Sequence, residues 1–562
     1  MSSGAAGGAV LRLHHRPGEL TACNIGHLAD CKGRLAAAER ETGVAFLAGE
    51  MLRQGCGTSC PSGTRRRGAG QPSLSGRDGA AVRESGGHGG HGAADFQGES
   101  GAPPSRDQTR GKGMSMLSTL TAFLAPVLLA TSALGAQENW PQWRGPDGNG
   151  VSAAEGLPTN WSQTENVVWA TALPSWSGGT PVIWGNRIFV TSASETDSVT
   201  PTAPAEQPRQ SRGGGRDPGG ESLLLICFSK SDGRELWRYQ LDVGNQLRRK
   251  HNDTSPSPVT DGEHVWVATG AGVVTALDME GKRIWRRELQ KEYGPLGMNF
   301  GYASSPLLHE GRLILQVLHG QLTDDPSYIV AFDALTGKVV WRQERPTDAV
   351  AESPDAYTTP ALLEHGGKSQ IVISGGDYVT GHDPLSGREV WRAGGLNPER
   401  RGNYRVVGSP FVVGDMIYAP TRKRPLLALR AGGTGEVTDS HLVWKWEGAG
   451  APDVPTPVSD GKYFYMVDDK GLVTCLSAPA GTVVWGPERT ALGTVSASPI
   501  LADGKVYFIN ENAVTTVLAA GPRFEALATN ELDGSYTLSS PAVSGSRLFL
   551  RTGTHLYCII SE

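Results

Sequence analysis

Beyond Met114 the chain has only three cysteines, Cys227, Cys475 and Cys558, each isolated in an apolar stretch. A disulfide scaffold is therefore excluded, and an odd number leaves at least one thiol unpaired in a monomer. No Cys-x-x-Cys-His occurs, so there is no c-type haem attachment. No G-x-S-x-G sits in a strand–turn–helix context, which removes the usual serine-nucleophile elbow. Long apolar stretches with a 3.6-residue period are missing outside one N-terminal segment, so a helical protein is excluded. Positive charge is also short. Residues 1–113 carry +4, from 14 Lys+Arg against 10 Asp+Glu, which leaves −9 on the remainder of a chain of net −5. A mildly acidic folded part is a poor partner for nucleic acid.

Glycine (75 residues) and tryptophan (14) are plentiful, which suits many short strands joined by tight turns. Residues 1–113 read differently. The Arg65–Arg67 run and the Gly/His run Gly87–Gly92 cannot build a core, and a disordered low-complexity extension is expected. Cys23, Cys31, Cys56 and Cys60 lie here. A zinc site using Cys56, Cys60 and His27 is conceivable, but C-x3-C fits no common knuckle, and no metal is assigned. Residues 114–136 are almost uncharged and end in Ala133-Leu134-Gly135-Ala136, like a secretory signal and its cleavage site. Translation is then expected to start at Met114 or Met116, with 1–113 an upstream over-extension. The rival reading is a membrane anchor; it would be the protein's one attachment to a membrane.

From Gln137 onward one unit recurs. A Ser/Thr-Pro pair opens it eight times, at Thr180, Ser257, Ser305, Thr359, Ser409, Thr456, Ser498 and Ser540. The spacings of 77, 48, 54, 50, 47, 42 and 42 residues are those of four-stranded propeller blades. The long first interval holds a polar, Pro/Gly/Arg-rich insertion, Glu195 to Gly220, read as a mobile loop. Two-residue turns such as Asp261-Gly262 and Asp503-Gly504 separate alternating strands. Gly-x-x-x-Trp closes five units, at Trp237, Trp285, Trp341, Trp391 and Trp485. A residue type repeated at one blade position is a packing device. These tryptophans, with Trp169, are expected to cover the gap between blades, each indole N–H reaching a carbonyl. The fold class is thus all-β, an eight-bladed β-propeller over 137–562. The last unit stops after about three strands, and Asn166-Val167-Val168-Trp169 is expected to supply the fourth. The preceding Trp140 to Pro146 is expected to plug the ring.

The unit Ala331-Phe332-Asp333-Ala334-Leu335-Thr336-Gly337-Lys338-Val339-Val340-Trp341 resembles the tryptophan-docking repeat of the PQQ-like, or quinoprotein, superfamily. The resemblance covers nearly all of 137–562 and is crisp in about five repeats. The opening Trp140-Pro141-Gln142-Trp143 is similar to that of secreted PQQ-like propellers of planctomycete type.

The ligand site of a propeller is usually the funnel at one end of its axis, lined by the loops before each innermost strand. Those loops hold Arg249, His251, Asn252, Asp253, Asn299, Tyr302, Glu352, Tyr357, Tyr404, Arg405 and Asp453. Trp176 and Tyr536 could add aromatic walls. Convergent carboxylates, amides, arginines and aromatics suit a small molecule or a peptide, although loops are also polar simply because they meet water. The resemblance implies two functions. One is a quinoprotein dehydrogenase holding PQQ and Ca²⁺, with Glu352, Asn252 and Asp253 as generic ligands. It lacks the vicinal cysteines and long covering loops of that family. The other is a binding module like the non-enzymatic propeller subunit of the outer-membrane β-barrel assembly machinery. The reading adopted is the second: an exported, periplasmic or secreted propeller, monomeric and cofactor-free. No catalytic residue is assigned, and its partner is an envelope protein or glycan.

Overall fold

The computed structural model describes residues 138–196, 217–422 and 424–562. The low-complexity extension with its four cysteines, the apolar segment 114–136 and most of the polar insertion, 197–216, lie outside the described residues. Among the described residues no helix is long and apolar enough to cross a membrane.

Eight antiparallel sheets follow one another, each beginning at a Ser/Thr-Pro pair. Blade 1 comprises Val182–Trp184, Arg187–Ala193, Ser222–Ser229 and Glu235–Val243. Blades 2 to 7 repeat this meander through Ala526–Glu531. Blade 8 takes Ala542–Ser544, Arg547–Arg551 and His555–Ile559 from the C-terminal end. Its outermost strand is Val167–Ala172, paired antiparallel with His555–Ile559. A ring closed in this way has no free sheet edge at its seam.

The Gly-x-x-x-Trp motif works between blades. The indole N–H of Trp169, Trp237, Trp285, Trp341, Trp444 and Trp485 donates to the first turn carbonyl of the following blade at 2.7–3.2 Å. The glycine of that following blade receives the ring. A Cβ on Gly337 would stand 2.6 Å from Trp285, and one on Gly387 would stand 2.4 Å from Trp341. Both glycines also have φ near +70°, where an L side chain is strained. Trp391 differs: its N–H goes to Gln370 Oε1 in its own blade. The turn of blade 5 carries an extra segment there, and Gly435–Glu436 adds a short parallel strand beside Trp391 instead. Blade 7 has Ala528 at the tryptophan position, and blade 8, whose outer strand is borrowed, has no such turn to receive a ring.

At the axis the Ser/Thr-Pro pairs form a second interlock. The backbone N–H of each Ser or Thr donates to the hydroxyl of its counterpart in the next blade, from Thr180→Ser257 round to Ser498→Ser540, at 2.8–3.1 Å. Proline at the next position holds the chain extended and brings no N–H that would need a partner. The circle lacks its last link, because Thr180 Oγ1 is buried without a hydrogen bond. At that seam Ser539 Oγ donates to Gly179 O at 3.0 Å, and the buried Arg551 guanidinium donates to the carbonyls of Thr191 and Ser175.

The segment before the borrowed strand crosses the ring. Trp140 bridges Ile183 of blade 1 through two backbone bonds of 2.8 Å, and Thr260 of blade 2 donates to Pro141 O. Arg144, 1% exposed, spreads its guanidinium over the carbonyls of Asn149, Thr456, Pro457 and Pro499. Val151–Ser152 then lines up parallel to Leu501–Ala502 of blade 7.

Candidate functional site

Seven of the eight link residues (all but Thr180) line a cavity of about 300 Å³ on the axis. Two residues before each pair comes a second ring, generated by the same repeat. Ala303, Tyr357, Val407 and Val454, from blades 3 to 6, make one side of it apolar, while Ser496, Gly178 and Ser255 on the other side are small and interrupted by the single apolar Leu538. The plug's Trp143 is the floor. The site is therefore a shaft with a hydroxyl base, a largely apolar waist and a charged mouth.

The mouth is set by two loops. Leu247–Arg248 pairs with His251–Asn252 as a two-stranded ribbon, and its turn residues Arg249 and Lys250 reach the cavity. Arg249 holds φ +68° there. Lys250 is tied to Glu511 at 2.8 Å and Arg248 to Asp253 at 3.0 Å. Opposite, Arg405 faces Glu352 at 3.6 Å and Asp453 at 3.9 Å, both beyond hydrogen-bond reach. Phe300 lies between the two groups, with the Arg249 and Arg405 guanidinium carbons 5.1 and 5.0 Å from its ring centre. Asp469 also lines the cavity; burial, then the nearby Asp453, push its carboxyl above the usual range, towards the neutral form.

The polar loop residues named from the sequence separate into two groups. Arg249, His251, Tyr357, Arg405 and Asp453 line the cavity, with Glu352 behind Arg405. Burial lowers the His251 imidazole, whose Nε2 has no partner, so the ring is neutral at pH 7. The remaining residues do not line the cavity. Asn252 is fully buried; its amide donates to Trp176 O and Pro218 O and accepts from Thr254. Asp253 is fully buried between Arg248 and the N–H of Gln246. Tyr302 is buried between blades 2 and 3, and Tyr404 turns its hydroxyl to Arg424 O. Asn299 is exposed and gives its backbone N–H to Asp355. Trp176 and Tyr536 meet edge to face at 5.4 Å, and the Tyr536 hydroxyl donates to Lys250 O.

This geometry gives Ca²⁺ little to bind. Asn252 and Asp253 have spent their oxygens on protein donors, and Glu352, whose Oε1 has no hydrogen bond, stands 3.6 Å from the Arg405 cation, so the three form no oxygen cage. Among the described residues no group of three or more His, Cys, Asp or Glu could hold a metal. The thiols of Cys227 and Cys475 are pushed up to about 12, and that of Cys558 to about 11, by burial in apolar strands, so all three stay protonated. Sequence reasoning named Tyr357 but missed Phe300 and the other waist residues, although the fixed offset of the waist from each Ser/Thr-Pro pair was the available signal.

The family described as outer membrane protein assembly factor BamB matches residues 221–486 and 434–521. The assembly factor BamB of Yersinia pestis is 23% identical over 342 residues, covering 53% of this chain and 82% of the relative. That of Bordetella pertussis is 22% identical over 332 residues, covering 58% and 75%. Among solved structures, the quinohemoprotein alcohol dehydrogenase of Comamonas testosteroni has a TM-score of 0.56 at 11% identity, over 77% of this chain and 82% of that one. A europium-containing methanol dehydrogenase has a TM-score of 0.57 at 11% identity, over 76% and 99%. At such identities the two dehydrogenases share the fold alone. The match across residues 221–521, more than half of the sequence, makes this chain a member of the PQQ-like propeller family of the assembly factor BamB.

Proposed function

We propose that the chain is an exported propeller of the cell envelope that works by binding, without a resident cofactor, and that its partner is an envelope protein. The observation that carries this reading is the state of the funnel's oxygen donors. Asn252 and Asp253 are committed to protein groups, Glu352 faces the Arg405 guanidinium with no hydrogen bond on its Oε1, and the cavity is walled mostly by apolar and hydroxyl side chains. That is a surface for recognition rather than an ion cage. The relatives named as outer membrane protein assembly factors favour a protein partner and an exported location.

The test is calorimetric titration of the full chain with PQQ in the presence of Ca²⁺, followed by a dye-linked oxidation assay on alcohols and aldoses. The expected result is no binding and no turnover. Calcium-dependent binding at micromolar or tighter affinity, with turnover, would overturn the proposal in favour of a quinoprotein dehydrogenase. Cell fractionation tests the location: recovery in the cytoplasm would overturn export.

A further inference from the structure

The innermost strand of every blade is an edge, paired within its blade on one side only, and the eight edges are not treated alike. In a hairpin closed by a two-residue turn, the pair flanking the turn exchanges both hydrogen bonds, and the residue before it points its N–H and C=O the other way. In blade 1 that residue is Ile183, the third after the Thr of the Thr-Pro pair, and both groups are bonded to Trp140 of the crossing segment at 2.8 Å. The equivalent Thr260 of blade 2 donates to Pro141 O, and Leu501 of blade 7 donates to Gly150 O, each at 2.9 Å. All three residues are buried. The same positions in blades 3, 4 and 5 are Leu308, Leu362 and Val412. No described residue outside the hairpin bonds to their backbone, and all three are half-buried.

Blade 4 departs further. Its inner strand, Ala361–His365, has five residues where the other seven have two or three. His365 and Lys368 flank its turn, so the alternation puts two residues, Leu362 and Glu364, on the free edge. Two N–H groups and two carbonyls in register are a template for a neighbouring strand. This edge borders a cavity of about 390 Å³ that it shares with Gln142, Trp143 and Pro146 to Asn149 of the crossing segment. Leu308 of blade 3 and Val412 of blade 5 also line it. Its charged lining residues are Asp147 and Glu364, both acidic and both exposed; among the described residues no Lys, Arg or His lines it. The adjoining His365 is tied to Asp415 at 2.8 Å.

We infer that the free inner edge of blade 4 is a docking strand for an extended segment of another polypeptide, one that carries a basic residue beside an apolar one. The segment adds a strand to Ala361–His365, and its main chain pairs with Leu362 and Glu364. Side chains stand off both faces of a sheet, so those of the added strand point towards Leu308 on one side and Val412 on the other. Its cation meets Asp147 and Glu364. A strand of three residues, roughly 10 Å long, covers both outward residues. The ring thus completes the inner edges of blades 1, 2 and 7 with its own chain and leaves that of blade 4 to a partner. This site lies beyond the Trp143 floor, at the end of the axis away from the funnel, and stands whether or not the funnel holds a cofactor.

The experiment is calorimetric titration of the full chain with three peptides: acetyl-Lys-Val-Thr-Val-Lys-amide, the same peptide N-methylated at its three central residues, and acetyl-Glu-Val-Thr-Val-Glu-amide. The basic peptide should bind saturably. The N-methylated one should bind at least about tenfold more weakly, because its ladder donors are gone. The acidic one should be several-fold weaker than the basic one. Hydrogen exchange should slow across Ala361–His365 when the basic peptide is added, and not in the funnel loops. Leu362→Pro removes one outward N–H that the hairpin's own ladder does not use, and should weaken the basic peptide about tenfold. Glu364→Arg, at an exposed side chain, gives a second reading that leaves the backbone alone: it should weaken the basic peptide several-fold and strengthen the acidic one. No saturable binding of the basic peptide at millimolar concentration, equal binding of the N-methylated peptide, or protection in the funnel loops instead of Ala361–His365 overturns the inference.

Discussion

Seven junctions between blades are made from repeated parts, and the eighth is not. From blade 1 to blade 8 each junction has an axial N–H to hydroxyl bond, and most add an indole set into the next turn. Between blades 8 and 1 the outer half survives, since Trp169 still donates to Lys230 O and covers Gly233. The axial half is replaced by Arg551, a buried cation with no carboxylate in ion-pair reach among the described residues; burial lowers its guanidinium to about 9. A repeat can copy a neighbour-to-neighbour contact, but the closing contact joins segments about 380 residues apart in sequence and has its own solution. Arg144 and the crossing segment belong to the same set of singular parts.

Five substitutions, one of them read across a pH series, test this contrast. Trp285→Ala should cost the most, about 3–5 kcal/mol, by opening a cavity at an ordinary junction, while Ala334 O keeps the indole N–H of Trp266; the midpoint of urea unfolding reads it. Arg551→Ala should cost about 2–4 kcal/mol in the same assay, because Thr191 O loses the guanidinium and Ser175 O is left with Ser192 Oγ alone, while a desolvated charge is relieved. If Arg551→Ala were neutral, the borrowed strand alone would close the ring.

The Asp533 carboxyl, in the loop entering blade 8, gives a pH signature. Burial works to raise it, but the hydroxyls of Thr552, Thr554 and Ser535 prevail and hold it at about 2. A carboxyl whose folded value is depressed stabilises the fold above its unfolded value and loses that contribution as pH falls through the folded one. Stability should therefore decline between about pH 4 and pH 2, and Asp533→Asn should flatten that part of the curve. Ser305→Ala removes one axial link and should cost about 1 kcal/mol. Thr180→Val, at the one position where the hydroxyl has no partner, should be neutral or slightly stabilising. Equal costs for Ser305→Ala and Thr180→Val would mean that the axial links contribute nothing specific.

The ring itself was legible because it is periodic. The eight Ser/Thr-Pro pairs, the Gly-x-x-x-Trp units and the strand deficit at the C-terminal end each have one spatial meaning. The mouth was legible only in part. Asn252, Asp253 and Tyr404 look like ligands in a linear text, but long loops must satisfy their own buried carbonyls and N–H groups, and these side chains do that work, while Tyr302 packs into the core between blades. Arg249 rests on the Phe300 ring with no ion pair among the described residues, while Arg405 rests on the same ring with Glu352 and Asp453 at 3.6 and 3.9 Å. Nothing in composition or spacing distinguishes an arginine set on a ring from one set on an acid.

The floor of the shaft has a further consequence. Trp143 is a wall shared by the axial cavity and a second cavity bounded by Leu307, Leu308, Ala361 and Val412 on the inner strands beyond it. The axis is therefore a bottle and not a pipe. A chain cannot be threaded through it, arrivals and departures use a single doorway, and only a guest small enough to turn round, or one end of a larger guest, can be served.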